Sequence, residues 1–323
     1  FICFGGAFDL VHAEKLSTDT SPAPAAAGAP TDETAFYADR FIFRSKSVDD
    51  LVIVVFNFER GKQAEGYYGE FFGAIFERNR WAFLEGNDKY AYASTDLKTI
   101  FPSYYAKIMG TDLSGFVASY DGGDYTLRLS SGPVTEAYHP HDSETLKRSL
   151  GITEAVITVN GKEHWGTLVH ESLLWKGFEG LKRYKGLYKN YQAFFLKTEK
   201  GRQIYFYKNQ ADQREFLKKH HLAETLQAEG GVVFERGKAA EIFQSPILLS
   251  PINKTTPPFA FYKVPERWEL DLSSSGLGSL QLWTRARHSI NWIFGGYVII
   301  AIEGLVKKGE EEERVWGFAE FFP

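Results

Sequence analysis

Residues 152–175 (ITEAVITVNGKEHWGTLVHESLLW) constrain the fold more than any other stretch of the chain. Two alternating, β-branched arms flank Asn160-Gly161, and both turn positions of such a pair favour positive φ. The stretch is therefore predicted to be a tight hairpin, and its second arm carries His164, Trp165, His170 and Glu171. A hairpin cannot bury its apolar face alone, so the rest of the chain must supply more sheet.

The flanking sequence does so. Residues 51–59 (LVIVVFNFE) and 67–77 (YYGEFFGAIFE) are strand-like runs, with shorter candidates at 81–84 and 90–93. Residues 115–130 form a hairpin around Asp121-Gly122-Gly123, with Tyr125, Leu127 and Leu129 on one face of its second arm. Residues 191–209 turn at Lys200-Gly201, and residues 231–250, 268–272, 278–288, 295–304 and 313–322 continue the pattern. One helical segment is predicted, residues 212–226, with too few apolar positions to be buried. Short strands at regular spacing predict sandwiches or barrels rather than a βαβ sheet. The strands are too numerous for one small barrel, and 323 residues suit about two domains.

The Gly- and Lys-rich residues 175–190 are the expected crossover, which divides the chain into units at 35–180 and 181–323. Residues 1–34 are expected to be a tail or signal remnant followed by a Pro/Ala-rich linker. The small-residue ending Val11-His12-Ala13 is compatible with signal cleavage and a periplasmic or secreted protein. Asp9 and the lack of a basic region point instead to the cytoplasm. No window approaches the roughly 20 apolar residues of a membrane-spanning helix.

Several strands, notably 51–58 and 298–302, are apolar on both faces and need cover on both sides, from a barrel–barrel contact or a ligand cavity. The aromatic share of 16%, with 27 Phe and 17 Tyr, suits strand faces first and an apolar pocket second. A net charge of −4 gives no electrostatic basis for nucleic-acid binding. The single Cys3 excludes an internal disulfide. There is no phosphate loop, nucleophile elbow or HExxH, so no cofactor and no metal is expected. His220-His221 diverge by about 100° on a helix and do not chelate one ion.

In order along the chain, four motifs resemble the AttH-like and carotenoid-hydratase-like family. They are Val159, Gly161, Gly166, His170 and Glu171 in the central hairpin; Phe194, Leu196, Gly201 and Tyr205; Pro265, Trp268 and Leu270; and Gly296, Tyr297, Glu303, Gly304, Gly317 and Glu320. The resemblance implies an all-β fold of two lipocalin-like antiparallel barrels packed together, with few helices. It also implies a large apolar ligand, an isoprenoid or lipid, which some members hydrate or cyclise. Where the family often has Asp before the central His, this chain has Val169. Where a carboxylate is expected after the Tyr strand, Asn209 stands nearest, with Asp212 beyond. The expected function is therefore binding or carriage of a hydrophobic molecule, with hydration or cyclisation of an isoprenoid or polyene alkene as the alternative.

The chemistry needs an acid in an apolar pocket and aromatic faces for a cation. The candidates are His170, Glu171 and Glu320 for catalysis, with Trp165, Tyr205, Tyr207, Trp316, Phe318 and Glu70 as ligand-binding residues. Adjacent strand residues point to opposite faces, so only one of His170 and Glu171 faces a cavity. The bland alternative has His170 hydrogen-bonding at the rim, Glu171 paired with Lys or Arg, and Glu320 accepting from backbone N–H groups. The basic, Tyr-interleaved residues 176–189 are the candidate for peripheral contact with anionic lipid, against a solvated loop. Nothing in the sequence assigns an oligomeric state.

Overall fold

A computed structural model describes residues 35–63, 66–91, 96, 98–100, 102–142, 144, 146–176, 191–209, 229–243, 248–256, 263–273, 276–290 and 297–322. The expected helix at 212–226, most of the basic run, the crossover and the N-terminal segment lie outside these residues. Every element among those described is a strand or a turn of sheet, apart from one residue of 3₁₀ turn.

The first ten strands are β1 (Ala35–Ser45), β2 (Ile53–Gln63), β3 (Gly66–Glu77), β4 (Arg80–Ala91), β5 (Ala106–Thr111), β6 (Gly115–Gly122), β7 (Tyr125–Ser131), β8 (Glu136–Asp142), β9 (Leu146–Val159) and β10 (Lys162–Lys176). The next nine are β11 (Tyr191–Thr198), β12 (Gln203–Asn209), β13 (Glu229–Phe234), β14 (Glu241–Phe243), β15 (Leu248–Thr255), β16 (Val264–Leu272), β17 (Gly278–Ile290), β18 (Tyr297–Lys308) and β19 (Glu311–Phe322). They form two antiparallel sheets, β4-β3-β2-β1-β10-β9-β7-β6-β5, with β8 added on β9, and β14-β13-β12-β11-β19-β18-β17-β16-β15. Both orders follow one rule. The first strand of each unit pairs with its last, and hairpins run outward from that pair to a seam. The seam lies between β4 and β5 in the first unit and between β14 and β15 in the second.

The central hairpin forms as the residues require. Val159 pairs with Lys162 across the two-residue turn, where Asn160 and Gly161 have φ of 47° and 87°. The candidate strand at 81–84 and the start of the one at 90–93 belong to one strand, β4; residues 92 and 93 lie outside the described residues. The register skips between Phe71 and Gly73 of β3, whose partners on β4 are Asp88 and Leu84, and polar Glu85, Gly86 and Asn87 fall in the gap.

Side-chain alternation sorts the apolar residues into three cores. One fills the concave face of the first sheet and includes Phe41, Val54, Phe56, Phe58, Phe71 and Leu168. A second fills the other sheet, around Phe194, Phe206, Trp268, Val298 and Ile300. The third lies between the sheets and joins Phe36, Ile53, Val55 and Trp175 of one to Phe195, Tyr205, Ile299 and Phe318 of the other. The doubly apolar strands are thus covered by sheet–sheet contact: Val54 and Val55, or Ile299 and Ile300, serve two cores at once.

Gly166 shows how tightly β10 lies on β1. A Cβ there would sit 2.1 Å from the Arg44 carbonyl oxygen and 2.6 Å from the Phe43 ring. We expect Gly166→Ala to lower stability by about 1–3 kcal/mol through overpacking. An unchanged urea midpoint, followed by circular dichroism, would show that the strands separate at no cost.

Candidate functional site

The parity of β10 sends His170 and Glu171 to opposite faces, and the two meet different surroundings. His170 lies in the first barrel, paired in register with Phe41 of β1. Its ring stacks on Phe41 at 4.6 Å and 7°, and meets Phe116 at 4.7 Å. Its nitrogens each reach a carboxylate: Nε2 is 2.7 Å from Asp39 Oδ1, and Nδ1 is 2.8 Å from Asp112 Oδ1. Both nitrogens must donate for both contacts to be hydrogen bonds, so the geometry selects the imidazolium. Burial pushes the imidazole down, but Asp112 and Asp39 outweigh it and raise its pKa to about 9.

Asp39 is a second node. Its other carboxylate oxygen accepts from Arg60 Nη2, and Arg60 also donates to the Phe58 carbonyl at 3.2 Å. Burial works against the charged carboxyl, yet Arg60 and His170 hold it below the usual carboxylate range. Asp112 stands on the β5–β6 turn, and its backbone carbonyl accepts from Val134 N at 2.7 Å. His170 therefore ties the tip of that turn to the barrel wall.

These groups floor a cleft of about 530 Å³, walled on its other side by Ile100, Ile108, Met109 and Phe116. A second cleft of about 490 Å³ shares Asp39 and Lys98 with the first and adds Tyr37, Arg60, His141 and Arg148. Burial, then the charge of Arg148, pushes His141 down to about 3, so this histidine is neutral. Among the described residues no group of three His, Cys, Asp or Glu side chains is placed to hold a metal.

Glu171 faces the other way, into the space between the sheets. Arg40 bridges it to Glu320, and the three side chains are at most 1% exposed. Arg148 Nε donates to Glu171 at 2.6 Å, while its Nη2 donates to Tyr191 Oη at 2.8 Å. The guanidinium also lies 5.6–5.7 Å from the centres of the Tyr191, Tyr205 and Tyr207 rings. Burial raises the Glu171 carboxyl, but Arg148 and Arg40 together lower it below the ordinary value.

The structure therefore does not bring the three acid candidates together. His170 floors the cleft; Glu171 and Glu320 lie across the sheet from it, locked by Arg40. Glu320 accepts from the Arg40 guanidinium. Tyr205, Tyr207, Trp316 and Phe318 are packed in the inter-sheet core and line neither large cleft. The Trp316 indole donates to the Ser45 carbonyl at 3.3 Å, and Phe318 packs on Phe195 and Trp81. Glu70 is buried on β3 opposite Glu59, away from both clefts. Trp165 is 60% exposed near the start of β10, its indole donating to Glu163 at 2.6 Å. Large side chains on both faces of one strand look alike in sequence; which face is cavity and which is contact depends on how the sheets dock.

Asp39, Arg60, Asp112, Phe41 and Phe116 were not among the candidates. A signal existed for Asp39, a carboxylate inside the otherwise aromatic run FYADRFIF. Asp112, in an ordinary polar turn, carries none.

No protein-family model and no curated protein sequence matches the chain. Solved structures share its fold. A protein assigned as an AttH from Nitrosomonas europaea aligns with a TM-score of 0.60 at 10% identity, over 94% of this chain and 98% of that one. Kievitone hydratase from Nectria haematococca aligns with a TM-score of 0.56 at 11% identity, over 89% of this chain and 88% of that one. At such identities the likeness is one of fold, and the two-barrel all-β architecture expected from the motifs is the one this chain has.

Proposed function

We propose that the protein binds a small molecule with an apolar body and a polar end in the mouth of the first barrel. One observation carries this reading: a charged His170, held between two carboxylates, floors a cleft whose opposite wall is aliphatic and aromatic. Ile108 and Phe116 are buried there, whereas Met109 is 71% exposed. Apolar walls with a few convergent polar groups are the usual make-up of a small-molecule site. The lipid- or isoprenoid-like ligand that the resemblance implies would lay its chain on Ile100, Ile108 and Phe116 and its polar end toward Asp39 and Lys98.

Hydration or cyclisation of an alkene is the second reading, favoured by the fold shared with a hydratase. Physical chemistry weighs against it, because protonating an alkene needs a strong acid that is neutral at the working pH. Asp39 and Glu171 are both held ionised, and His170 at about 9 keeps its proton too tightly.

Ile100→Glu is the test, since the position lines the cleft and is only partly buried, so the fold can accept it. A neutral environment-sensitive naphthylamine dye is expected to bind the wild type and to lose about tenfold in affinity, about 1.4 kcal/mol, in the variant. Native mass spectrometry of protein from its own source should also recover an apolar molecule. Equal dye affinity for both proteins together with no recovered molecule would end the binding reading. Deuterium uptake from D₂O into the recovered molecule, dependent on His170, would replace it with the enzyme reading.

A further inference from the structure

A guanidinium taken out of water requires a counter-charge, and Arg44 has none among the described residues. Its side chain is buried on β1, 3% exposed, and points between the sheets. Nη1 donates to the Phe195 carbonyl at 2.7 Å and Nη2 to the Gln203 side-chain oxygen, both neutral acceptors, while Nε has no acceptor. A Cβ on Gly317 would lie 3.1 Å from Nη1, so the bare backbone of β19 leaves the guanidinium its room.

A second cation stands beside it. Lys197 follows Phe195 by two residues on β11, on the same face, and is 9% exposed with no carboxylate partner among the described residues. Lys46, also nearby, pairs only loosely with Glu154 at 3.6 Å, and that carboxylate is 76% exposed. Three cations thus face one solvated carboxylate. Burial alone pushes Arg44 down to about 9, and burial, then the charges of Arg44 and Lys46, pushes Lys197 down to about 8. Beside Arg44 lies a slot walled by Leu150, Ile152, Val169, Gln203 and Phe234, with about 10 Å³ of free space. That is about the volume one water-sized particle needs.

We infer that this slot is a binding site for a small monovalent anion, a halide or the carboxylate end of a short organic acid, held by Arg44 with Lys197 as the second cation. Such an ion would join β1 of one sheet to β11 of the other. Docking of the two barrels would then depend on the anion, independently of any ligand in the cleft at His170.

The experiment uses the full chain in a halide-free buffer, with gluconate as a bulky balancing anion at constant ionic strength. Chloride, bromide and acetate are titrated in turn while thermal unfolding and the rate of Lys197 acetylation are followed, the latter by peptide mass spectrometry. The expected result is a saturable rise in melting temperature and about threefold or greater protection of Lys197. Halides alone producing this would identify a halide site; acetate producing it would identify a carboxylate site. Arg44→Met is expected to remove both responses. Should that variant not fold, Lys197→Met, which retains Arg44, is expected to weaken the apparent affinity about fivefold through the lost charge. The inference is overturned if gluconate and every small anion give the same melting temperature and the same Lys197 reactivity. A wild-type anion response in Lys197→Met or Arg44→Met would overturn it equally.

Discussion

Replacing Glu171 by Ala is expected to destabilise the protein by about 3–5 kcal/mol, among the largest effects of any single change in the chain. The cause is the charges it would strand rather than the worth of the bonds it would remove. Arg40 and Arg148 both lie on Glu171, and the three side chains are 0–2% exposed. Arg40 would keep Glu320 and Arg148 would keep Tyr191, but both buried guanidiniums would lose the carboxylate that lies between them. Replacing a whole buried network with apolar side chains is commonly close to neutral, whereas removing one member is not. A Glu171→Ala, Arg148→Ala double-mutant cycle should therefore show strong positive coupling, the second substitution restoring part of the loss. The pH dependence has a definite sign. The folded pKa of Glu171 lies below its unfolded value, so its contribution is present above the unfolded value and is lost as pH falls through the folded one. The gap between wild type and variant should close on acidification. A variant as stable as wild type in urea at neutral pH would mean that water enters the interface and solvates the arginines.

His170→Gln is expected to cost about 3 kcal/mol at neutral pH, with the opposite pH signature. The folded pKa is raised from 6.5 to about 9, and a shift of that size on a buried group corresponds to about 3 kcal/mol. Because it is raised, the contribution is full below about pH 6.5 and disappears as pH climbs through about 9. The gap between wild type and His170→Gln should therefore be widest in mild acid and shrink toward pH 10, where the wild type has lost the charge. Gln is chosen because it keeps a side chain between Phe41 and Phe116, so the pH-independent cavity cost stays small. The same variant should loosen the β5–β6 turn, since Asp112 loses its partner there. Faster amide exchange at residues 111–114 would record that loosening. A gap that does not change with pH would show that His170 is neutral in the folded state and that one of its two carboxylates is protonated.

These two neighbours mark the division between sequence and tertiary structure. The hairpin at Asn160-Gly161, the opposite facing of His170 and Glu171, and the need to cover strands such as 51–58 on both sides all follow from local rules. Turn φ preferences, the two-residue side-chain period and apolar composition act over a few residues, and a single sequence records them. The family resemblance led to two barrels on the same local evidence, since glycines at turns and at close strand contacts are dictated within one or two strands.

What local rules could not supply was the partner of each group. His170 is charged because Asp39, 131 positions away, and Asp112, 58 positions away, converge on it. Glu171 is locked because Arg40, also 131 positions away, lies opposite it, with Glu320 of the other sheet behind. Tyr205, Tyr207, Trp316 and Phe318 look in sequence like the lining of an apolar pocket, and docking of the sheets turns them into core. Charge state, cavity and contact are properties of side chains brought together from distant strands. Their energies depend on burial and on the nearest opposite charge, and only the folded arrangement of the two sheets decides those.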